Sequence, residues 1–269
     1  MAKLFKDAIR EYIERSYQKI GSHSNRLGLS KNTLRCYRNF YNLWEHFEVT
    51  NELRIDLRCL DKVTIENFIH WMLVKKFYSA NYVGLQLKLL KSICRDQQAL
   101  GEKVHSYYQF QKGIQKLKNS RMIITLSLEE INRIEQTIID DSDLLNTKKW
   151  FLLGLCIGQR VSDLLKLKES DFRMASNWGI YVDLIQQKTR KAVTIGIINK
   201  TVIDFIKNEF PKPINYVKFN RQIKKLCKRA GVDEMVEGER LNSKTNRKEK
   251  GMFPKYQLIS SHCMRRSFA

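Results

Sequence analysis

Apolar residues recur at intervals of three or four positions through the first ~105 residues, which is the period of a helix with one buried face. Four stretches show this period: 4–20, 30–47, 64–72 and 79–100. We expect Ser30 and Thr64 to cap the second and third helices. The chain has only 3 Pro and 12 Gly, which favours long helices over loops. The sequence therefore predicts an all-α bundle of four helices over residues 1–110.

The next segment, residues 111–125, is basic and polar and has neither a helical nor a strand period. A chain of 269 residues is long enough for two domains, and we interpret this segment as the linker between them. Such a linker can lie along a phosphate backbone or can be a solvated connector, and both interpretations stay open. The basic side chains in it are Lys112, Lys116, Lys118 and Arg121.

The second predicted domain, residues 126–269, mixes helices with a short β segment. Ser127 and Glu130 have the spacing of a capping box at a helix start. The β segment is apolar and β-branched, as is typical of a hairpin. The fold class is thus mainly α with a small β-hairpin or sheet. The predicted elements are helices at 147–157, 201–210 and 216–230, strands at 179–187 and 192–198, and a polar flexible loop at 231–255.

The charge of the chain indicates a polyanionic partner. Lys and Arg number 49 against 28 Asp and Glu, a net charge of +21. Residues 212–266 alone carry 15 Lys and Arg against 5 Asp and Glu. A basic surface of this kind is typical of nucleic-acid binding, whereas a solvated helix plus a charged loop is the alternative. The basic helix at 216–230 supplies three candidate DNA contacts: Arg221, Lys224 and Lys225.

The six cysteines are scattered, and none has the spacing of a zinc site. We expect them to be reduced thiols in a cytoplasmic, nucleoid-associated protein. The N-terminus lacks the apolar core of a signal peptide, and the longest apolar run, residues 151–157, is too short to span a bilayer.

Three short segments carry residues suited to phosphate chemistry. The first is residues 158–167, GQRVSDLLKL, where a buried helix is predicted to end at Gly158 and a new one to begin with Ser162 as its cap. Arg160 then lies in the turn, where a fixed guanidinium can bind a phosphate oxygen. The second is the hairpin turn that holds Lys188, with Lys191 as the alternative. Either segment alone is also consistent with an ordinary surface residue.

The third segment is residues 261–269, SHCMRRSFA. On a helix, His262 and Arg265 lie three residues apart and share one face. They combine a proton-handling group with a bidentate anion clamp. Met264 and Phe268 can anchor the same helix in the core.

Together the three segments resemble the tyrosine recombinases of the phage-integrase type. That family has an Arg in a G-x-R-[IV]-S-[ED]-L-x-x-L box, a Lys on a β-hairpin and a late H-x-x-R motif, in this order. The resemblance covers essentially the whole chain, and implies a helical, SAM-like core-binding domain followed by an α+β catalytic domain. It implies duplex DNA as the partner, no metal and no cofactor. The catalytic residues that it implies are Arg160, Lys188, His262 and Arg265.

The mechanism implied by the resemblance is DNA strand breakage and rejoining through a 3′-phosphotyrosyl intermediate. The arginines would stabilise the transition state, Lys188 would protonate the leaving 5′-oxygen, and His262 would assist proton transfer. We expect Asp163 to orient an arginine. The family pattern continues with a His or Trp and then the nucleophilic Tyr, but this sequence ends at Ala269.

We therefore expect a shortened recombinase that binds DNA without cleaving it, and that is a monomer, whereas the full-length form is a homo-tetramer on DNA. One alternative is an integrase fragment that acts only as a DNA-binding or regulatory protein. A second is a basic helical nucleic-acid binder unrelated to recombinases. A type IB topoisomerase shares the chemistry, but the small helical first domain and the R-S-F-A ending favour an integrase.

Overall fold

The computed structural model describes residues 2–18, 28–110, 123–174, 179–242 and 247–268. The chain divides into two units, Met1–Asn119 and Ser120–Ala269. The segment predicted to be a linker, 111–125, falls mostly outside the described residues.

The first unit is helical throughout its described part. An aromatic cluster fills its core, and Trp44 contacts Phe5 and Phe68 edge to face, with ring centroids 4.6 and 4.7 Å apart. Such pairs stabilise a core beyond the area they bury. The Trp71–Lys75 segment is a π-helical turn that continues the third helix. The helices are α1 (Phe5–Glu14), α2 (Lys31–Thr50), α3 (Lys62–His70), α4 (Ala80–Ala99) and α5 (Tyr107–Phe110).

The helix starts in this unit follow side-chain capping. The Ser30 hydroxyl accepts a hydrogen bond from the Thr33 N–H, so the prediction that Ser30 caps α2 is confirmed. The prediction that Thr64 caps α3 is wrong. The cap is Asp61, whose carboxylate accepts the Thr64 N–H at 2.8 Å, because α3 already begins at Lys62.

The second unit surrounds one buried helix. Helix α7 (Ser142–Ile157) carries Trp150, Phe151 and Leu153, all 0–1% exposed. It packs against α10 (Tyr216–Arg229) and α12 (Ser261–Ser267). The N-cap of α7 is Asp141, whose carboxylate accepts a hydrogen bond from the Leu144 N–H. The helices are α6 (Leu128–Gln136), α7 (Ser142–Ile157), α8 (Val161–Leu164), α9 (Lys200–Asn208), α10 (Tyr216–Arg229), α11 (Lys255–Leu258) and α12 (Ser261–Ser267).

Two antiparallel sheets complete this unit, and the predicted fold class, mainly α with a small β part, is confirmed. The three-stranded sheet has the order β1–β2–β3, and its β2–β3 ladder ends at the pair Ile185 and Ala192. The capping box of Ser127 and Glu130 is also confirmed. The strands are β1 (Phe172–Met174), β2 (Ile180–Ile185), β3 (Ala192–Ile197), β4 (Met235–Asn242) and β5 (Arg247–Pro254).

The prediction of a flexible loop at 231–255 is wrong, because strands β4 and β5 pair as a hairpin there. At its base Gly238 pairs with Gly251, and a Cβ on Gly238 would overlap the Leu258 side chain. A larger residue at position 238 would therefore require the Leu258 side chain to shift. Farther out, Glu239 pairs with Lys250 and both are exposed, so charge hides the two-residue period of a strand.

Within the described ranges, none of the helices combines the length and the apolar character needed to cross a bilayer.

Candidate active site

Arg160 is placed by the turn that follows α7. The helix ends at Gly158, whose φ of 59° lies in the left-handed region, as predicted. The Arg160 carbonyl accepts the N–H groups of Asp163 and Leu164, both at 2.8 Å, which fixes the backbone of the turn. The prediction that Ser162 caps the next helix is wrong, since α8 already begins at Val161 and Arg160 occupies the cap position.

Helix α12 carries His262 and Arg265, and three contacts fix it. Its first N–H, from Ser261, donates to Asn220 Oδ1 of α10 at 2.9 Å. Near its other end the Ser267 hydroxyl accepts the Leu126 N–H at 2.9 Å. Between them Met264, with no exposed area, lies against α7. The helix is thus tied to three separate parts of the unit, and the charged face is presented on a rigid support.

The Met264 contact depends on the small size of Gly154 in α7. A Cβ at position 154 would overlap the Met264 sulfur and would lie 2.9 Å from Leu164 Cδ2. Glycine therefore lets α12 approach α7 closely, near the turn that holds Arg160.

The charges of both segments act on one imidazole, that of His262. Burial lowers the pKa of His262 below its usual value of 6.5, and the positive charges of Arg266, Arg265 and Arg160 lower it further. A bound anion would offset the charges of these arginines and so favour the protonated imidazole.

Arg160 and Arg265 each have a buried guanidinium nitrogen. Arg160 Nη1 and Arg265 Nη1 are both buried, and neither has a hydrogen-bond partner among the described residues. A buried charged donor without a partner carries a desolvation cost. Two guanidinium groups near one imidazole suit an anion with several oxygens, such as a phosphate.

Lys188 is exposed in the turn between β2 and β3, and so is Lys191. Within the described residues Lys188 makes no hydrogen bond or ion pair. The backbone of the turn is held by two bonds, from Gln186 N–H to the Lys191 carbonyl and from Arg190 N–H to the Gln186 carbonyl. Arg190 has a φ of 58°, unusual for a residue with a side chain.

Asp163 does not pair with an arginine in the described structure, contrary to expectation. It is 5% exposed, and its Oδ1 accepts the Gln187 N–H at 3.1 Å. It therefore joins the α7–α8 turn to the hairpin that carries Lys188.

The predicted DNA contacts divide into two groups. On α10 the three side chains predicted to contact DNA are exposed, while Phe219, Ile223 and Leu226 on its other face are buried. The predicted contacts on α10, all exposed, are Arg221, Lys224 and Lys225. The predicted linker contacts lie outside the described residues: Lys112, Lys116, Lys118 and Arg121.

Three neutral side chains that organise this site, Gln159, Gln186 and Asn220, were not predicted from the sequence. Each acts through one or two hydrogen bonds to a distant segment. A lone Gln or Asn in a sequence gives no sign of such a partner.

Neither a protein-family model nor a curated protein matches the amino-acid sequence. Solved structures do match over 98% of the chain. A lambda integrase tetramer bound to a Holliday junction has a TM-score of 0.66 at 14% identity, over 71% of that chain. The Tn1549 transposon integrase in complex with transposon right end DNA has 0.65 at 14% identity, over 85% of that chain. The XerH site-specific recombinase bound to palindromic difH substrate, a post-cleavage complex, has 0.62 at 16% identity, over 72% of that chain.

At these identities the similarity establishes a common fold. The chain has the fold of the integrases and site-specific recombinases known as tyrosine recombinases.

Proposed function

We propose that this chain binds duplex DNA and that Arg160 and Arg265 together hold one backbone phosphate. The observation that carries the proposal is the pair of buried Nη1 atoms without a partner among the described residues. A phosphate oxygen is a strong acceptor, and guanidinium groups match the geometry of its oxygens. Binding would thus satisfy two donors that the described structure leaves unpaired.

We assign the remaining charged residues to the strand exchange typical of this fold. A tyrosine hydroxyl would form the new P–O bond, the bond from phosphorus to the 5′-oxygen would break, and that oxygen would take a proton from Lys188. His262, neutral at rest, would accept a proton near the attacking hydroxyl.

The wider basic surface would hold the DNA backbone on either side of that phosphate. The exposed residues Lys191, Arg221, Lys224 and Lys225 are the contacts that we assign to it, together with the basic residues of 111–125. Contacts of this kind release counterions, so we expect the affinity to fall steeply with salt.

A second candidate is a protein that only occupies recombination sites and regulates access to them. The exposed basic face of α10 supports binding by itself. The two candidates differ in whether a covalent bond between a tyrosine and DNA forms at the site of Arg160 and Arg265.

The test is a binding measurement with one phosphate altered at a time. A preferred duplex would first be selected from a random pool, and single phosphates would then be replaced by uncharged methylphosphonates. We expect Arg160→Ala and Arg265→Ala each to weaken binding by roughly 10- to 100-fold, the scale of one charged hydrogen bond. At one phosphate position the methylphosphonate should abolish that difference between wild type and variant.

The matched control is Arg173→Ala, which removes the same charge from the same unit. The Arg173 guanidinium is paired with Asp183 at 2.6 Å, so its loss should change affinity little. If all three substitutions weakened DNA binding equally, the arginines would act only through nonspecific charge attraction, and the proposed phosphate site would be wrong. Insensitivity of both Arg160→Ala and Arg265→Ala would refute it.

A further inference from the structure

A continuous chain of three hydrogen bonds runs from the end of α7 to the hairpin turn. Gln159 Nε2 donates to the Ile157 carbonyl at 3.2 Å, and Gln159 Oε1 accepts from Gln186 Nε2 at 2.8 Å. The Thr189 hydroxyl then donates to Gln186 Oε1 at 2.6 Å. One end of this chain lies three residues from Arg160, and the other lies next to Lys188.

The polarity of this chain is fixed by the Ile157 carbonyl at one end. The Ile157 carbonyl can only accept, so the buried Gln159 amide must turn its nitrogen toward it and its oxygen toward Gln186. Gln186 must then present its nitrogen to Gln159, which leaves its oxygen for the Thr189 hydroxyl. Flipping either amide would set two donors or two acceptors against each other. The network therefore has one arrangement, and it is electrically neutral.

Two further hydrogen bonds, both from Gln187, reinforce this chain of three. Gln187 N–H donates to Asp163 Oδ1, and Gln187 Nε2 donates to the Ser162 carbonyl at 3.2 Å. Residues on both sides of Arg160 are thus bonded to the strand end that leads into Lys188. Apart from them, the backbone hydrogen bonds of the turn join it only to itself within the described residues.

We propose that Gln159 and Gln186 are positioning residues, which set the hairpin turn so that the Lys188 amine faces the phosphate held by Arg160. The inference rests on the proposed function. A lysine has a long stem with many rotamers, and no described residue pairs with the Lys188 side chain to direct it. Proton donation to one oxygen requires the amine within hydrogen-bond reach, so the direction must come from the backbone that carries it.

The substitutions that test this are Gln159→Ala, Gln186→Ala and their combination. Gln257→Ala is the matched control, because Gln257 accepts a bond from Arg240 on the other hairpin. Thr189→Val removes the last bond of the chain at an exposed position where folding is not at stake. The pair Gln159→Lys with Gln186→Glu can re-form all three bonds, since an ammonium can donate twice and a carboxylate can accept twice.

The measurement is chemical capture of the lysine on DNA. A duplex with an abasic aldehyde beside the bound phosphate forms an imine with a nearby amine, releasing water, and borohydride reduces the imine to a stable amine. Peptide mass spectrometry then gives the fraction of capture at Lys188 and at Lys191. Affinity for the unmodified duplex is measured in parallel, and hydrogen exchange reports the mobility of residues 186–190.

We expect the Ala variants and Thr189→Val to bind DNA within about twofold of wild type while capture at Lys188 falls roughly tenfold or more, since small misplacements cost reactivity steeply. The double variant should be no worse than either single one, and the Lys and Glu pair should recover capture. A loss that merely reflected poorer folding would lower affinity and capture at both lysines together.

Unchanged capture at Lys188 in the Ala variants would overturn the inference, as would absence of capture at Lys188 in the wild type. These outcomes are separate from failure of the proposed function. That failure would appear as an Arg160→Ala variant that binds the duplex as well as wild type, whatever the glutamine variants do.

Discussion

Gly154→Ala tests how the two charged segments are held together. Gly154 lies inside α7 and faces Met264 of α12, the helix that carries His262 and Arg265. A new methyl group would overlap the Met264 sulfur and would lie 2.9 Å from Leu164 Cδ2. Both neighbours are 0% exposed, so neither side chain can move into solvent.

Two effects of opposite sign decide the result. Alanine in a helix interior is more stable than glycine by about 1 kcal/mol. Overfilling an enclosed site costs about 1–3 kcal/mol. Because both contacts of the new methyl group are buried, the packing cost should exceed the helix gain. We expect Gly154→Ala to lower the free energy of unfolding by roughly 1 kcal/mol.

The effect of Gly154→Ala on the free energy of unfolding should change sign when Met264 is shortened to Ala. Met264→Ala alone should cost roughly 2–5 kcal/mol, because it leaves a cavity against α7. In that background the methyl group of Gly154→Ala would enter the cavity, and it should stabilise the protein by up to about 1 kcal/mol. Hydrogen exchange of α7 peptides as a function of urea reports this local stability. Destabilisation of equal size in both backgrounds, or a gain in the wild-type background, would refute the packing argument.

Three further predictions concern single groups. The free energy of unfolding should fall as the pH drops below 6.5, the usual pKa of His262, because the unfolded chain takes up the proton first. His262→Gln should reduce this dependence of the free energy on pH. In an NMR titration, bound DNA should raise the His262 pKa. Lys255→Met should cost about 3–5 kcal/mol in urea unfolding, because Lys255 pairs with the buried Glu130 at 2.7 Å, whereas Lys248→Met at an exposed pair should cost under about 1 kcal/mol. Arg160→Ala should leave the urea midpoint unchanged or raise it, since a buried donor without a partner disappears; a clear loss of stability would contradict this.

The parts of the fold that the sequence predicted are those set by local pattern. The capping box of Ser127 and Glu130 spans three residues, and the end of α7 at Gly158 depends on one backbone angle. The helix predicted at 216–230 is found as α10, Tyr216–Arg229, and its hydrogen bonds lie within one stretch of chain. In each case the interacting atoms are close in sequence, so the residue types alone carry the information.

The parts that were missed depend on contacts between distant segments. Asn220 and Ser261 are 41 residues apart, and Gln159 and Gln186 are 27 residues apart. The β4–β5 hairpin was missed because its outer half is charged on both faces. Capping of α3 was misplaced by three residues, since Asp61 and Thr64 are both acceptable cap residues and only the geometry distinguishes them.

This division has a physical cause that bears on how the site works. A charged group that meets an anion must be an Arg, Lys or His, and so the sequence reveals it. A group that orients such a charge without altering its pKa must be neutral, as Gln159, Gln186 and Asn220 are. A charged support would shift the balance between His262 and the arginines, whose charges already lower its pKa. The neutral residues therefore position the charged groups without changing their charge. Substitutions of these neutral residues should move the charged side chains but leave the pKa of His262 unchanged.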